Sequence, residues 1–172
     1  MNRKKILVTG GAGYIGSHTV VELYLAGYIP IIVDNLCNSS KRNIDGINKI
    51  LNVKILWYNI DCTDYKKMKE IFINHPDIYG CIHFAAYKSV AESIEKPEKY
   101  YKNNIGSLEI LLKCIDEYNF QNIIFSSSCT VYGAPDVLPV DEKAPFKKAE
   151  SPYGKTKQLC EDLIEENVCN SV

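Results

Sequence analysis

The run Gly10-Gly11-Ala12-Gly13-Tyr14-Ile15-Gly16 constrains the fold more than any other stretch of the chain, because of what flanks it. Lys4 to Thr9, centred on Ile6-Leu7-Val8, reads as a short buried strand, and the residues beyond Gly16 read as a helix to about Ala26. The glycines satisfy both Gly10-x-x-Gly13-x-x-Gly16 and Gly11-x-Gly13-x-x-Gly16. In a strand-turn-helix unit the early glycines turn the chain tightly and let its main chain approach a pyrophosphate. The last lets the helix pack close to the strand. The helix N-terminus then presents amides and a partial positive charge to the phosphates. A second strand, Ile29 to Val33, follows and ends in Asp34, eighteen residues after Gly16. That is close to the separation at which a carboxylate takes the adenosine ribose hydroxyls of a dinucleotide.

Asp34 also selects the cofactor. Its charge repels the additional 2′-phosphate of NADP and no arginine follows it, so NAD is expected. The alternation continues down the chain. Lys41 to about Leu51 reads as a helix, Val53 to Tyr58 as strand three and Asp64 to Asn74 as a helix. Ile78 to Ala85 reads as strand four, Pro97 to about Tyr118 as one long helix with Ile105, Leu108, Leu111, Leu112 and Ile115 on one face, and Gln121 to Ser126 as strand five. Strands alternating with helices predict an α/β fold, a doubly wound parallel sheet of the Rossmann type, covered on both faces by right-handed crossovers. Ligands bind such sheets beyond the carboxyl ends of the strands, where the strand order reverses. The loops there are Gly10 to Gly16, Asp34 to Ser39, Asp61-Cys62, Phe84 to Lys88 and Ser126-Ser127-Ser128.

A second constellation lies near the other end, in Tyr153-Gly154-Lys155-Thr156-Lys157. On a helix, residues four apart stand roughly 40° apart around the axis, whereas Lys155 points to the far side. Lys157 is therefore the partner of Tyr153. A free phenol titrates near pH 10, so a tyrosine base needs a permanent positive neighbour. An ammonium about 6 Å away, at an effective dielectric near 20, favours the phenolate by about 2.8 kcal/mol, or roughly two pKa units. That approaches the range in which general acid-base catalysis is efficient. A bare Tyr-x-x-x-Lys match also occurs on ordinary amphipathic helices, and it gains meaning only from the cofactor site that precedes it.

The remaining composition fits an ordinary α/β domain. The 172 residues, 46% of them hydrophobic, are enough for one sizeable core, and the whole chain reads as a single NAD-binding domain. The net charge of −1 and the absence of long like-charged runs point away from nucleic acid and membrane surfaces. No apolar stretch has the length of a membrane span, and the basic start lacks the apolar core of a signal peptide. The seven cysteines, at 37, 62, 81, 114, 129, 160 and 169, form no Cys-x-x-Cys, which suits a reducing cytoplasm better than a disulfide framework or a zinc site. His18, His75 and His83 show no ligand spacing, and His83 reads as a packed strand residue; no metal site is expected.

Taken together, these residues resemble the extended short-chain dehydrogenase/reductase family, and within it the sugar-nucleotide 4-epimerases. The matching segments are Val8 to His18, Asp34 to Ser39, Ile82-His-Phe-Ala-Ala86, Lys96 to Tyr101 with Asn103-Asn104, Phe125 to Gly133 and Ser151 to Lys155, so the likeness covers essentially the whole chain. It implies that Gly10, Gly13, Tyr14, Ile15 and Gly16 meet the pyrophosphate, and that Asp34, Asn35, Asn38 and Ser39 surround the adenosine ribose. Asp61 and Cys62 would lie at the adenine, with Phe84, Ala85, Lys88, Asn103 and Ser126 further along the cofactor. Ser128 would bond the reacting sugar oxygen, while Lys157 would bond the nicotinamide ribose and hold Tyr153 acidic. Ala86 and Cys129 depart from the family's commoner glycine and alanine without touching the chemistry. The implied reaction interconverts UDP-glucose and UDP-galactose: Tyr153 takes the 4-hydroxyl proton while the C4 hydride passes to NAD, and the 4-keto sugar is re-reduced on its other face.

The resemblance also implies a homodimer, through the helix after Pro97 and the Tyr153 helix, and a further substrate domain that grips the uridine diphosphate. After the Tyr153 helix there is only Glu165 to Val172 and no counterpart of that domain, so the chain is expected to be the N-terminal portion of a longer enzyme, truncated before its last strands and inactive alone, with an aggregation-prone exposed sheet edge. Two other readings stay open. One is a sugar-nucleotide dehydratase or decarboxylase on the same scaffold; dehydratases typically carry Asp-Glu after the threonine of the strand-five motif, where Thr130 here is followed by Val131-Tyr132. The other is a non-catalytic NAD-binding protein.

Overall fold

The structure is a computed structural model that describes residues 3–120 and 122–169, with Val168 and Cys169 described as helical backbone alone. By its internal contacts the chain divides into two compact units: the residues up to Ala85 with Lys113–Ser126, and Ala86–Leu112 with the residues from Ser127 onward.

The first unit is built on five parallel strands, β1 (Lys5–Thr9), β2 (Ile29–Val33), β3 (Leu56–Tyr58), β4 (Ile78–His83) and β5 (Asn122–Phe125), in the order β3-β2-β1-β4-β5. The chain steps outward from β1 through β2 to β3, then returns to place β4 on the other side of β1. The reversal predicted from the strand-helix alternation therefore falls between β1 and β4, where Leu7 pairs with Cys81 and Thr9 with His83. Strand side chains alternate between faces. Ile6, Val8, Ile32 and Ile82 share one face, where they form a core with Val20 of helix α1 (Tyr14–Leu25) and Ile47 of helix α2 (Lys41–Leu51). Helix α3 (Tyr65–Asn74) buries Met68, Ile71 and Phe72, and the Phe72 ring stacks on Tyr118 and Phe120 at 5.6 and 5.2 Å.

Local chemistry sets the boundaries. Ser40 caps α2 by accepting from the Arg42 amide, and Asp64 caps α3 by accepting from the Lys67 amide. β2 and α2 have the bounds read from the sequence. β3 is shorter than expected: after α2, Asn52 takes the left-handed conformation at φ 50° and the Ile55 amide donates to the Asn48 side chain (2.8 Å), so Val53 to Ile55 close the helix rather than extend the strand. β4 ends at His83 rather than Ala85. Of strand five, Gln121 lies outside the described residues.

The second unit is helical. It contains α4 (Val90–Glu95), α5 (Pro97–Tyr100), a π-helical segment (Tyr101–Ile105), the first part of α6 (Gly106–Tyr118), a 3₁₀ turn (Cys129–Tyr132) and α7 (Pro152–Cys169). The expected single helix from Pro97 to Tyr118 is thus interrupted by the π segment, whose extra residue per turn shifts the face that Asn103 and Asn104 present. Helix α4, capped by Ser89, was not expected from the sequence pattern.

Candidate active site

The first unit carries the features of a dinucleotide site. Gly10 has φ +67°, and a Cβ there would come within 2.8 Å of the Ala85 amide nitrogen. A side chain at this position would thus strain the turn and drive β1 away from the loop that leaves β4. A Cβ on Gly16 would overlap the Gly10 carbonyl oxygen, so the helix reaches its close approach only with glycine there. Gly13 begins α1 with no side-chain cap and no acid in the first turn, whereas Ser40, Asp64 and Ser89 cap α2, α3 and α4 with their own oxygens. The α1 amides are thereby presented to an external anion, and Tyr14 and Ile15 stand beside them at 78% and 59% exposure.

Asp34 is 8% exposed and does more than wait for a ribose. Its Oδ2 accepts from the Ala12 amide (3.0 Å), while Oδ1 accepts from the Leu36 amide (2.8 Å) and the Ser39 hydroxyl (2.8 Å). The carboxylate therefore knits the glycine turn to the loop after β2, and its remaining lone pairs are what it can offer a ligand. Asn43 completes this tie by donating to the Ala12 carbonyl at 2.7 Å. Sequence reasoning missed Asn43, since a lone asparagine one turn into a helix carries no spacing signal. Asn35 donates to Asp61 at 3.0 Å, joining the loops after β2 and β3, and Asn38 is exposed. Burial opposes the charge on Asp61, but hydrogen bonds from the Thr63 hydroxyl and amide and from Asn35, with Lys67 nearby, hold its carboxyl below the usual range. Cys62 is 6% exposed and burial pushes its thiol well up, so any part it has in binding falls to its main chain. Phe84 and Ala85 are half-buried beside Gly10, and the Ser126 amide continues the β4 pairing by donating to the His83 carbonyl. His83 is the packed strand residue expected, 2% exposed with Nδ1 2.7 Å from the Thr9 hydroxyl.

The second unit holds Ser128, Tyr153 and Lys157, the residues expected from the sequence to act in acid-base chemistry. Ser151 accepts from the Gly154 amide (3.1 Å) at the start of α7. One turn on, Lys157, the lysine the spacing argument selects, is 4% exposed, Tyr153 is half-buried and Lys155 is exposed. Burial pushes the Lys157 ammonium pKa below its ordinary value, with Cys160 and Glu161 pulling the other way. The turn bearing Ser128 lies against the start of this helix, because a Cβ on Gly154 would come within 3.2 Å of the Thr130 carbonyl. The Ser128 hydroxyl oxygen accepts from the Thr130 hydroxyl (3.0 Å) and amide (3.3 Å).

Lys88 is exposed, and the Asn103 amide donates to Asn104 Oδ1 at 3.0 Å. Asn104, 2% exposed in the π segment, was noted in the sequence beside Asn103 but given no role. It accepts from the Tyr87 amide (2.8 Å), donates to the Tyr87 carbonyl (3.0 Å) and reaches the Thr156 hydroxyl (3.2 Å), which in turn donates to the Tyr153 carbonyl (2.7 Å). A pair of adjacent asparagines inside a long helical pattern was the available signal.

Residues 7–169 match the family model described as GDP-mannose 4,6 dehydratase. The chain belongs to that family. Within the GDP-mannose 4,6 dehydratase family it is similar to UDP-glucose 4-epimerases, including that of Dictyostelium discoideum (46% identical over 162 residues, covering 94% of this chain and 46% of the relative) and uge1 of Schizosaccharomyces pombe (44% over 165 residues, covering 94% and 46%). Among solved structures, the UDP-glucose 4-epimerase of Bifidobacterium longum in complex with NAD+ and UDP matches with a TM-score of 0.92 and 41% identity, covering 95% of this chain and 48% of that one. The chain thus spans about half the length of the relatives it matches. Among the described residues no helix is long and apolar enough to cross a membrane.

Proposed function

We propose that this chain carries the NAD-binding and acid-base parts of a cytoplasmic, homodimeric UDP-hexose 4-epimerase that interconverts UDP-glucose and UDP-galactose. The observation that carries the reading is Lys157, a 4%-exposed lysine one helical turn from Tyr153, on the helix whose start packs against the Ser128 turn. It gains its direction from the similarity to UDP-glucose 4-epimerases, some of them solved with NAD.

The residues present fit the cofactor: the uncapped α1 amides and the glycine-only approach at Gly10 suit a pyrophosphate, and Asp34 suits a ribose. Bound NAD would supply the acceptor and later the donor of the C4 hydrogen. Tyr153 takes the proton of the sugar 4-hydroxyl and returns it when the 4-keto sugar is reduced on its opposite face. Lys157 supplies the positive charge that favours the phenolate, and Ser128 bonds the reacting oxygen. Asn35, Asn38, Ser39, Asp61, Phe84, Ala85, Lys88 and Asn103 line the cofactor in this reading.

The segment Ser126 to Gly133 contains no carboxylate, so it offers no acid for removing a neighbouring group from the sugar, as a dehydratase requires. The test is product identity. Protein containing this chain with NAD bound, given UDP-galactose and no further NAD, is expected to yield UDP-glucose; a dehydrated or decarboxylated product, or none, overturns the proposal.

A further inference from the structure

Helix α7 bears Tyr153 and Lys157, the 3₁₀ turn follows Ser128, and one buried amide side chain joins them. Gln158 is 5% exposed. Its Nε2 donates to the Val131 carbonyl at 2.7 Å and to the Lys147 carbonyl at 2.7 Å, which uses both of its protons. Val131 lies in the turn Cys129–Tyr132, three residues beyond Ser128, and is 2% exposed. Lys147 belongs to the irregular segment that returns against this turn: Gly133 has φ +58°, and a Cβ there would meet the Lys147 Cβ at 3.2 Å. A single side chain next to Lys157 in sequence therefore binds helix, turn and returning segment together.

Two neighbours hold the same turn along the same helix. Gly154 packs against Thr130, and Glu161 accepts from the Ser127 hydroxyl. Positions 154, 158 and 161 are spaced by four and three, the recurrence of one helical face. Tyr153 and Lys157 each precede a holding residue by one position, so a change in how that face grips the turn changes the distance from Ser128 to both. Gln158 contributes the central grip and, of these three, the one that also engages the returning segment.

We infer that Gln158 is a positioning residue that sets the Ser128 turn relative to the helix carrying Tyr153 and Lys157. Its catalytic consequence rests on the epimerase reading above. Neither leucine nor glutamate can replace it: leucine leaves two carbonyls without their donor, and an ionised glutamate turns acceptors toward two acceptors.

The test compares Gln158→Leu and Gln158→Glu with Asp162→Asn, an exposed control on α7, in protein containing this chain. Amide hydrogen exchange and steady-state kinetics with UDP-galactose are read on each. Expected are faster exchange confined to residues 129–133 and 147–149, and a kcat lowered about tenfold to a hundredfold with KM within about twofold, as for a misplaced catalytic group. Exchange that is unchanged, or raised uniformly over the second unit, overturns the inference. So does altered exchange with an unaltered kcat, which would make the grip merely structural. Gln158→Glu preserves shape and keeps the test open where Gln158→Leu does not fold. If the unsubstituted protein does not epimerise, the epimerase reading falls by itself, and the exchange pattern alone decides whether Gln158 holds the turn.

Discussion

The two units build their sites from different materials. In the first, the chemistry lies in the main chain: amides at the start of α1, a glycine turn at φ +67°, and a carboxylate that already accepts three hydrogen bonds from its own surroundings. In the second, it lies in side chains held by other buried side chains, with Lys157 on a helix tied to Asn104 through Thr156 and to the Val131 carbonyl through Gln158. A main-chain site tolerates most side-chain changes and fails where a Cβ cannot fit. A side-chain site fails wherever a donor or acceptor is removed.

The substitutions that probe this contrast fall in a definite order of effect. Tyr153→Phe removes the proposed proton carrier and is expected to lower kcat for UDP-galactose by about 10²- to 10⁴-fold while NAD binding, read by titration, stays near that of the unsubstituted protein. Gly10→Val attacks the other unit: the strain of a β-branched residue at positive φ, about 1–3 kcal/mol, corresponds to a rise of roughly five- to 150-fold in the NAD dissociation constant. Equal damage to both quantities by either change would erase the distinction between the units.

Asn104→Ala removes the hydrogen bonds with the Tyr87 amide and carbonyl, a cost of about 1–3 kcal/mol. The thermal midpoint should fall by about 2–4 °C for each kcal/mol. The same change at exposed Asn38 should leave the midpoint unmoved. The smallest effect is that of Asp61. Its carboxyl titrates below the usual range, so its contribution is fully present above about pH 4, the ordinary carboxylate value, and is lost as pH falls through the depressed one. The unsubstituted protein should lose slightly more stability than Asp61→Asn between neutral pH and about pH 3, read by thermal midpoints at each pH. Parallel pH curves would contradict the hydrogen-bonded arrangement around Asp61.

The same contrast explains what was legible in the sequence. The glycine turn, β2, Asp34 and the α/β alternation follow from short-range spacing, because a turn or a strand is specified by neighbours in the chain. Lys157 was separable from Lys155 by helical geometry alone. The π segment was not legible, since it is fixed by the bonds Asn104 makes with Tyr87 and Thr156, residues 17 and 52 positions away. Nor was the role of Gln158, whose partners lie 27 and 11 positions away. The structural duty of Asp34 was also hidden, because the ribose contact proposed for it and its bond from the Ala12 amide would leave the same trace in the sequence.

The central claim is that Tyr153 and Lys157 serve a closed oxidation and reduction at one carbon of a UDP-hexose. Incubating NAD-loaded protein containing this chain with UDP-galactose deuterated at C4, without further NAD, tests it most directly. The account predicts UDP-glucose with the deuterium retained at C4. Deuterium lost to solvent, or a product altered at a neighbouring carbon, would contradict it.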